Sequence, residues 1–228
     1  MDAPEGSRRR GEGDVPRLAA VAEEMDRHEE LLRAGAPAAC VSVARARAVS
    51  VGVAVRPEAG YLDRAWNEGI PVVRRTTGGT GVLHLEGDLL WAVVLPRSDA
   101  RVGPDFARAF GRLGTGIVAG LAAVGVRSGW VPAPGLSDDC CPLSSRGEVL
   151  AARGWVLGGA AQHATSRALL HHGGISWNVD RACVDRLFGL PAGGPSSRLG
   201  GLAELVAVSE PATVAEALER ALNEQLRP

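Results

Sequence analysis

Segments with the two-residue repeat of a β-strand alternate along this 228-residue chain with segments whose apolar residues recur every three or four positions. Residues 38–55 show the first pattern, since valines alternate there with small or polar residues, and they predict two strands broken near residues 45–47. Further strands are predicted at residues 70–74, 89–95, 148–152, 155–157 and 168–171. Because strand pairs interleave with helices, we expect an α+β fold with helices packed on a mixed or mainly antiparallel sheet.

Helical repeats occur in four segments. The first spans residues 15–33 and brings apolar residues to one face, namely Leu18, Val21, Ala22, Met25 and Leu32. Two more helices are predicted at residues 105–124 and 182–190, and Thr213 with Glu216 forms a capping-box pattern before a C-terminal helix. Since no linker interrupts the middle of the chain, residues 15–228 are expected to form one domain, preceded by a disordered polar tail at residues 1–14.

The composition is that of a globular domain, with 46% hydrophobic residues, 22% charged residues and a net charge of -1. There is no basic field for a nucleic-acid partner and no window of ~18 to 20 apolar residues for a membrane span, so a cytoplasmic protein is expected. The cysteines are Cys40, Cys140, Cys141 and Cys183. They lack the spacing of a metal site, and we expect reduced thiols and no metal.

Residues 71–84, PVVRRTTGGTGVLH, carry the first chemical pattern. An apolar strand delivers Arg74 and Arg75 to a loop with three glycines in four positions, and a histidine follows. Glycines allow close approach of the backbone to a ligand, and successive N–H groups can hold an anion with help from the arginines. The alternative is a tight structural turn with solvated arginines.

A second pattern lies at residues 156–162, VLGGAAQ, followed by LHHG at residues 170–173. Together the two segments resemble the signature segments of lipoate–protein ligases and octanoyltransferases. In the first segment the matching residues are Arg74, Arg75, Thr77, Gly78, Gly79, Val82, His84 and Gly87, whereas Thr80 replaces a family glycine and Gly81 follows it. In the second they are Gly159, Ala161, Gln162, His171, His172 and Gly173.

This resemblance implies the catalytic domain shared by lipoate and biotin protein ligases. It implies lipoate or octanoate as the acyl substrate, with an acyl carrier protein or a lipoyl-domain protein (an E2 subunit or a glycine cleavage H protein) as partner. The substrate-binding residues that it implies are Arg74, Arg75, Thr77, Gly78, Gly79, Thr80, Gly81, Val82, His84, Val156, Gly158, Gly159, Ala161, Gln162 and His172. The acyl chain is expected to lie near Val51 and Val82.

The chain departs from the family at a second position as well, besides Thr80. The family lysine that stabilises negative charge on the acyl group falls on Val156, and the chain contains no lysine at all. Arg153 could donate to an oxyanion, but its pKa above ~12 prevents it from exchanging protons. ATP and Mg²⁺ are therefore not expected as cofactors.

One branch of the family forms a cysteine thioester instead, without ATP. Cys141 lies 21 residues before Gln162, close to the spacing of that branch, and Cys140 is the alternative nucleophile. The candidate bases, unranked, are His84, His163, His171 and His172. Against this, the neighbouring Asp138 and Asp139 would raise a thiol pKa. The cysteines would then be inert, and His171 and His172 would only bond backbone at a strand end.

Three functions remain open at this point. The first is an acyltransferase that moves an octanoyl or lipoyl group onto a lysine of a carrier domain through Cys141 or Cys140. The second is a catalytically degenerate relative that binds an acyl chain, an acyl-adenylate or a carrier protein. The third is an acyltransferase recruited to another substrate.

We expect the purified protein to make no lipoyl-adenylate from lipoate and ATP. Loss of a charge-stabilising donor costs ~3 kcal/mol or more, equivalent to at least a hundredfold in rate. Lipoate-dependent pyrophosphate exchange measures the activity, with a lysine-containing ligase of the family assayed in parallel. Exchange well above the no-enzyme blank would contradict this prediction.

Overall fold

The computed structural model describes residues 17–56, 58–140, 143, 148–207 and 210–227, with side chains described from Ala20 onward. The expected tail at residues 1–14 and the candidate nucleophile Cys141 lie outside the described residues. In chain order the elements are β1 (Arg17–Ala19), α1 (Val21–Ala34), β2 (Ala38–Ala44), β3 (Ala48–Val51), α2 (Gly60–Asn67), β4 (Val72–Arg74), β5 (Gly81–His84), β6 (Leu89–Pro96), α3 (Phe106–Ala123), β7 (Gly129–Pro132), β8 (Glu148–Ala152), β9 (Trp155–Ala164), β10 (Ala168–Ile175), α4 (Arg181–Phe188) and α5 (Pro211–Leu226).

The strands form two sheets. Seven of them make a large sheet in the order β1-β2-β6-β10-β9-β8-β7, in which the β1–β2 pair is parallel and the other pairs are antiparallel. The remaining three make a small sheet in the order β4-β3-β5. The α+β class and the mainly antiparallel large sheet predicted from the sequence are confirmed.

Strand β6 lies inside the large sheet and buries both of its faces. Leu89, Trp91, Val93 and Leu95 belong to the main core, which contains residues of α3 and α5. The intervening Leu90, Ala92 and Val94 belong to two smaller clusters that contain residues of α1. Because successive side chains of a strand point to opposite faces, helices cover the sheet on both sides.

A separate apolar cluster forms between the small sheet, α2, α4 and strands β8 and β9. Its buried members include Val49, Tyr61, Val149, Val156 and Phe188. Helix α4 begins where the Asp180 side chain accepts a hydrogen bond from the N–H of Cys183, and it ends at Gly189, whose φ of 67° requires the left-handed region. The buried apolar residues of this helix belong to the same cluster.

Several element boundaries differ from the sequence prediction. The first helix begins at Val21, because residues 17–19 pair with β2 as a strand. Strands β9 and β10 extend beyond their predicted ends, and α2 and β7 were not predicted. The last helix begins at Pro211 rather than at a Thr213 cap, since proline is well suited to the first helical turn. None of the described helices is long and apolar enough to cross a membrane.

Two glycines of α3 provide a matched test of how α3 packs on α5. A Cβ added at Gly120 would lie 2.8 Å from the Leu218 Cα, whereas one at Gly111 would meet nothing within 4 Å. We expect Gly120→Ala to lower the free energy of unfolding by ~1 to 3 kcal/mol through overpacking. Gly111→Ala should instead raise it by up to ~1 kcal/mol through helix propensity. Urea unfolding of both variants measures the difference, and equal effects would contradict the close packing.

Candidate functional site

A cavity of about 770 Å³ is lined by residues of both sheets and of α4. One wall is the glycine loop, which we define as residues 76–80, between β4 and β5. The predicted site residues that line the cavity are Arg75, Gly78, Gly79, Thr80, Val82, His84, Cys140, Gly158, Gly159, Ala161, Gln162 and His172. The two separate sequence segments therefore meet at one cavity, whose volume is typical of a small-molecule site.

Arg75 holds the glycine loop in shape. Its guanidinium donates to the carbonyl oxygens of Ser50 (3.0 Å), Gly78 (2.9 Å) and Thr80 (2.9 Å), and to the Ser50 hydroxyl (3.3 Å). The residue is only 6% exposed. Because a planar guanidinium offers five fixed donors, this one side chain ties the loop to β3.

The loop carbonyls that bind Arg75 determine where the loop N–H groups point. In a trans peptide the C=O and the following N–H are antiparallel, so the N–H of Gly79 points away from Arg75. Gly79 has a φ of 93°, which favours glycine. Among the described residues, nothing accepts a hydrogen bond from the N–H groups of Gly78, Gly79 or Thr80. The loop therefore presents donors suited to an anionic oxygen.

Arg74 does not line the cavity, which corrects the expectation that it sits at the polar end of the pocket. Its guanidinium instead donates to the carbonyl oxygens of Gly52 (3.0 Å), Val53 (3.2 Å) and Val55 (3.0 Å). Successive side chains of an extended strand point in opposite directions, so Arg74 and Arg75 cannot face one ligand together. Arg74 braces the segment that follows β3.

Thr77, Gly81 and Val156 also lie outside the cavity lining. Thr77 is fully buried and bonds His172, while Gly81 begins β5 under the rings of Tyr61 and Phe188. Val156, at the position of the family lysine, is 7% exposed and packs in the apolar cluster that contains Cys140 and Phe188. An uncharged side chain suits that environment, because burying an unpaired charge there would be costly.

His84 and Asp88 are buried polar residues at the cavity. The Ser50 hydroxyl lies 2.8 Å from His84 Nε2, and burial, with help from the Arg75 charge, lowers the pKa of His84 to about 3. The Asp88 carboxylate accepts hydrogen bonds from the N–H groups of Leu85 and Trp177, yet burial raises its pKa to about 7. His84 is therefore a neutral imidazole at neutral pH.

Glycines of β9 and β10 face one another at the floor of the cavity. A Cβ added at Gly158 would lie 2.0 Å from the carbonyl oxygen of Gly174, and one at Gly173 would lie 2.3 Å from that of Gly159. A Cβ at Gly174 would meet only side chains, with the His84 ring nearest at 3.4 Å. The absence of side chains at Gly158 and Gly173 therefore allows the two strands to approach closely at this edge of the cavity.

A buried chain of polar side chains leads from the glycine loop into helix α1. Thr77 Oγ1 lies 2.8 Å from His172 Nε2, and His172 Nδ1 lies 3.0 Å from His28 Nδ1. His28 Nε2 in turn lies 3.5 Å from a carboxylate oxygen of Glu24. Glu24 and His28 were not predicted as site residues, although their spacing places them on the buried face of α1 with Val21 and Met25.

His171 and His172 do not bond backbone at a strand end, so that alternative is wrong. His172 bonds the two side chains described above, and His171 points to the opposite face of the sheet. The His171 ring meets Trp91, Phe110 and Trp130 at centroid distances of 5.0, 4.7 and 6.4 Å. Within the described residues neither of its ring nitrogens has a hydrogen-bond partner, and burial lowers its pKa to about 3.

Cys140 lies beside the glycine loop and lines the cavity, with 2% of its surface exposed. It pairs with Gly81 in an isolated parallel bridge, and the Gly81 N–H donates to the carbonyl oxygen of Asp139 (2.9 Å). Cys40 and Cys183 are each 1% exposed and lie in apolar clusters, as expected of small core residues. Burial raises the pKa of both thiols, that of Cys40 to about 12.

The apolar wall of the cavity was largely missed from the sequence. It includes Val184 and Phe188 of α4, together with Leu199. Val82 also lines the cavity. Val51, which was expected near the acyl chain, is buried and does not line the cavity. Of the other expected groups, Arg153 is exposed in the β8–β9 turn and His163 is partly buried on β9, and neither lines the cavity.

Residues 20–224 match the lipoyl protein ligase A/B catalytic domain. The match covers most of the chain, and the chain therefore belongs to this family. The resemblance read from the two signature segments is confirmed.

Among curated relatives, octanoyltransferase LipM of Macrococcus caseolyticus is 31% identical over 140 residues, or 57% of this chain and 49% of the relative. Octanoyltransferase LipM of Symbiobacterium thermophilum is 32% identical over 171 residues, or 71% of this chain and 60% of the relative. The matches thus span between about half and three fifths of these relatives.

Solved structures share the fold. A lipoate protein ligase of Thermoplasma acidophilum with bound lipoic acid has a TM-score of 0.70 at 23% identity, covering 95% of this chain and 86% of that one. A lipoate-protein ligase A bound with ATP has a TM-score of 0.72 at 22% identity, covering 93% and 84%. The lipoate ligase-like architecture expected from the sequence is confirmed.

His171 predicts acid sensitivity of the fold. Its folded pKa of about 3 lies below the ordinary 6.5, so below pH 6.5 the unfolded chain binds a proton that the native state does not. Its contribution to stability is present above that pH and is lost as the pH falls toward the folded pKa. In this pH window the free energy of unfolding of the wild-type protein should fall, relative to that of His171→Leu, by up to about 1.4 kcal/mol for each pH unit. Urea unfolding of both proteins at pH 8, 6 and 5 measures the free energy of unfolding. The difference between them at pH 8 reports only the loss of packing in His171→Leu. A difference that stays the same at all three pH values would contradict the prediction.

Proposed function

We propose that this chain is an acyltransferase of protein lipoylation that carries an octanoyl or lipoyl group as a thioester on Cys140 or Cys141. In the first step the thiolate attacks the acyl thioester of a carrier protein, so that the carrier leaves as a thiol. In the second step a lysine amine of a lipoyl domain attacks the enzyme thioester, forming an amide and freeing the cysteine.

The observation that carries the proposal is the position of Cys140. It lines the same cavity as the glycine loop, although 60 residues separate it in sequence from the Thr80 that ends this loop. The bridge between Cys140 and Gly81 fixes this neighbourhood through the backbone. A nucleophile next to preorganised N–H donors is the arrangement that acyl transfer requires. Cys141, next in sequence, stays an equal candidate.

The glycine loop supplies the electrostatic part of the proposal. Attack on a thioester puts negative charge on the carbonyl oxygen, and the N–H groups of Gly78, Gly79 and Thr80 are the donors proposed to receive it. Arg75 keeps these groups in place through the loop carbonyls. Donors of this kind are typically worth ~3 to 4 kcal/mol each in transition-state stabilisation. They would stand in for the lysine that Val156 replaces.

Two buried histidines are candidates for proton transfer. His84 and His172 both line the cavity, and burial lowers the pKa of each well below 6.5. Each is therefore neutral at pH 7. Both ring nitrogens of His172 are already hydrogen-bonded, so of the two His84 is the one proposed to offer a lone pair to a thiol proton, and its lowered pKa makes it a weak base. His84 Nε2 is held by Ser50 and His172 is held by Thr77 and His28, so both rings have fixed orientations.

The apolar side of the cavity fits the acyl chain. Val82, Val184, Phe188 and Leu199 line it, and the bare glycines of β9 and β10 form its floor. A flexible saturated chain gains ~0.8 kcal/mol for each CH₂ that it buries. The relatives named octanoyltransferase and the ligase structure with bound lipoic acid support acyl groups of this size. The acceptor is proposed from the same relationship, since an archaeal ligase of this fold was analysed with its E2 lipoyl domain.

A second candidate function is acyl binding without turnover. Val156 favours acyl binding without turnover, because it replaces the family lysine with an apolar residue and the chain contains no lysine. The thioester test below distinguishes the two functions.

Octanoyl-carrier protein should transfer its acyl group to the wild-type chain, giving a mass increase of one octanoyl group that hydroxylamine removes. A thioester exchanges onto another thiol at nearly zero net free energy, so the transfer needs no ATP. The Cys140→Ser, Cys141→Ser double variant should form at least tenfold less adduct, whereas Cys183→Ser, which alters a buried thiol outside the cavity lining, should react like wild type. Intact mass spectrometry with time measures all three proteins.

The single variants then identify which of the two cysteines reacts. No adduct on wild-type protein after long incubation, with a carrier shown to be competent on a cysteine-dependent octanoyltransferase, would leave acyl binding as the function. An adduct that persists in the double variant would contradict the proposed nucleophiles.

A further inference from the structure

Three residues form a row across the face of the large sheet that α1 covers. His172 of β10 pairs with Ala92 of β6, and Ala92 pairs with Cys40 of β2. Neighbouring strands lie ~4.8 Å apart, so Cys40 and His172 stand on either side of a methyl group. The small Ala92 side chain leaves space above the middle of the row.

Helix α1 fills that space with Glu24 and His28, which are one turn apart. One donor atom from each of Glu24, His28 and Cys40 lies within 4.8 Å of the other two. All three residues are buried, with exposures of 0%, 0% and 1%. A carboxylate, an imidazole and a thiol therefore converge at a point shielded from solvent.

The polar atoms of this cluster are poorly satisfied. Neither carboxylate oxygen of Glu24, nor Nε2 of His28, has a hydrogen-bond partner within the described part of the chain. Around the Glu24 carboxylate lie His28 at 3.5 Å, the partly exposed Arg27 at 3.6 Å, and the buried Ser42 hydroxyl, whose oxygen also has no hydrogen-bond partner among the described residues. Buried polar atoms in native proteins are normally bonded, so this cluster points to a missing partner.

We infer that Glu24, His28 and Cys40 form a buried binding site for a zinc-class divalent cation. The ligands would be a carboxylate oxygen of Glu24, Nε2 of His28 and the deprotonated sulfur of Cys40. The ion would replace the thiol proton, and two positive charges would balance one thiolate and one carboxylate. The mixture of sulfur, nitrogen and oxygen donors suits zinc, whereas magnesium and calcium prefer oxygen alone.

The other nitrogen of His28 fits the same assignment. A histidine that binds a metal through one nitrogen usually donates a hydrogen bond from the other. Here Nδ1 of His28 would donate to Nδ1 of His172, and Nε2 of His172 would then donate to Thr77 Oγ1. One ion would thereby set the direction of every hydrogen bond between α1 and the glycine loop. The site supports the cavity without touching the ligand.

The spacing of the cysteines in the sequence predicted no metal site. Glu24 and His28 come from one helix and Cys40 from the next strand, and the cysteine has no second cysteine or histidine near it in sequence. Only the packing of α1 on β2 brings these three residues together.

The test is metal retention by the full chain. Because the site is enclosed, the protein is refolded from denaturant with Zn²⁺, and loose metal is removed with a chelator and gel filtration. Elemental analysis should find about one zinc per wild-type chain. His28→Gln and Cys40→Ala should each retain at least tenfold less zinc, and Cys183→Ser, which alters an equally buried thiol elsewhere, should retain the wild-type amount.

A spectroscopic measurement on wild-type protein covers the case in which a variant fails to fold. Refolding with Co²⁺ should give the thiolate-to-metal charge-transfer band of a site with a cysteine ligand, and this band should persist in the Cys140→Ser, Cys141→Ser variant. Wild-type protein that refolds with less than a tenth of an equivalent of zinc would overturn the inference. Full retention by folded Cys40→Ala would also overturn it. Neither measurement depends on acyl transfer.

Discussion

The buried guanidinium of Arg75 is the interaction on which the site depends. It joins the carbonyl oxygens of the glycine loop to the backbone of β3, and by doing so it turns the Gly79 N–H group away from itself. A loop rich in glycine has high conformational entropy when free, so its shape must be imposed by something rigid. The strands behind it, β3 and β5, provide that support. In the proposed function, Arg75 therefore acts through the loop that it shapes rather than by contacting the ligand with its charge.

The sequence predicted the architecture and the two segments of the site, but it could not predict which side chains face the ligand. Arg74 and Arg75 are adjacent and chemically identical. Only the register of β4 against β3 determines that Arg74 braces the backbone after β3 and that Arg75 lies at the cavity. Periodicity located α1 but undervalued Glu24 and His28, because a helical face is normally judged by its apolar residues. The wall formed by α4 depends on contacts between distant parts of the chain, which no local pattern reports.

Val156 changes the electrostatics of this site relative to its family. Val156 packs in the apolar cluster with Phe188 and Leu199, where a buried lysine would need a charged partner. The valine is therefore consistent with the apolar residues that pack around it. In the proposed function, stabilisation of negative charge comes from backbone N–H groups, as it does in many acyl-transfer enzymes.

The paired glycines of β9 and β10 differ in how much change each can accept. Gly158 and Gly173 face carbonyl oxygens so closely that any side chain would force the strands apart, whereas a methyl group at Gly174 would meet only the His84 ring and a leucine side chain. Of these three glycines, two are therefore closed to variation and one is open. In the proposed function, a methyl group at the open position would shorten the space for the acyl chain while the contacts between the strands stay intact.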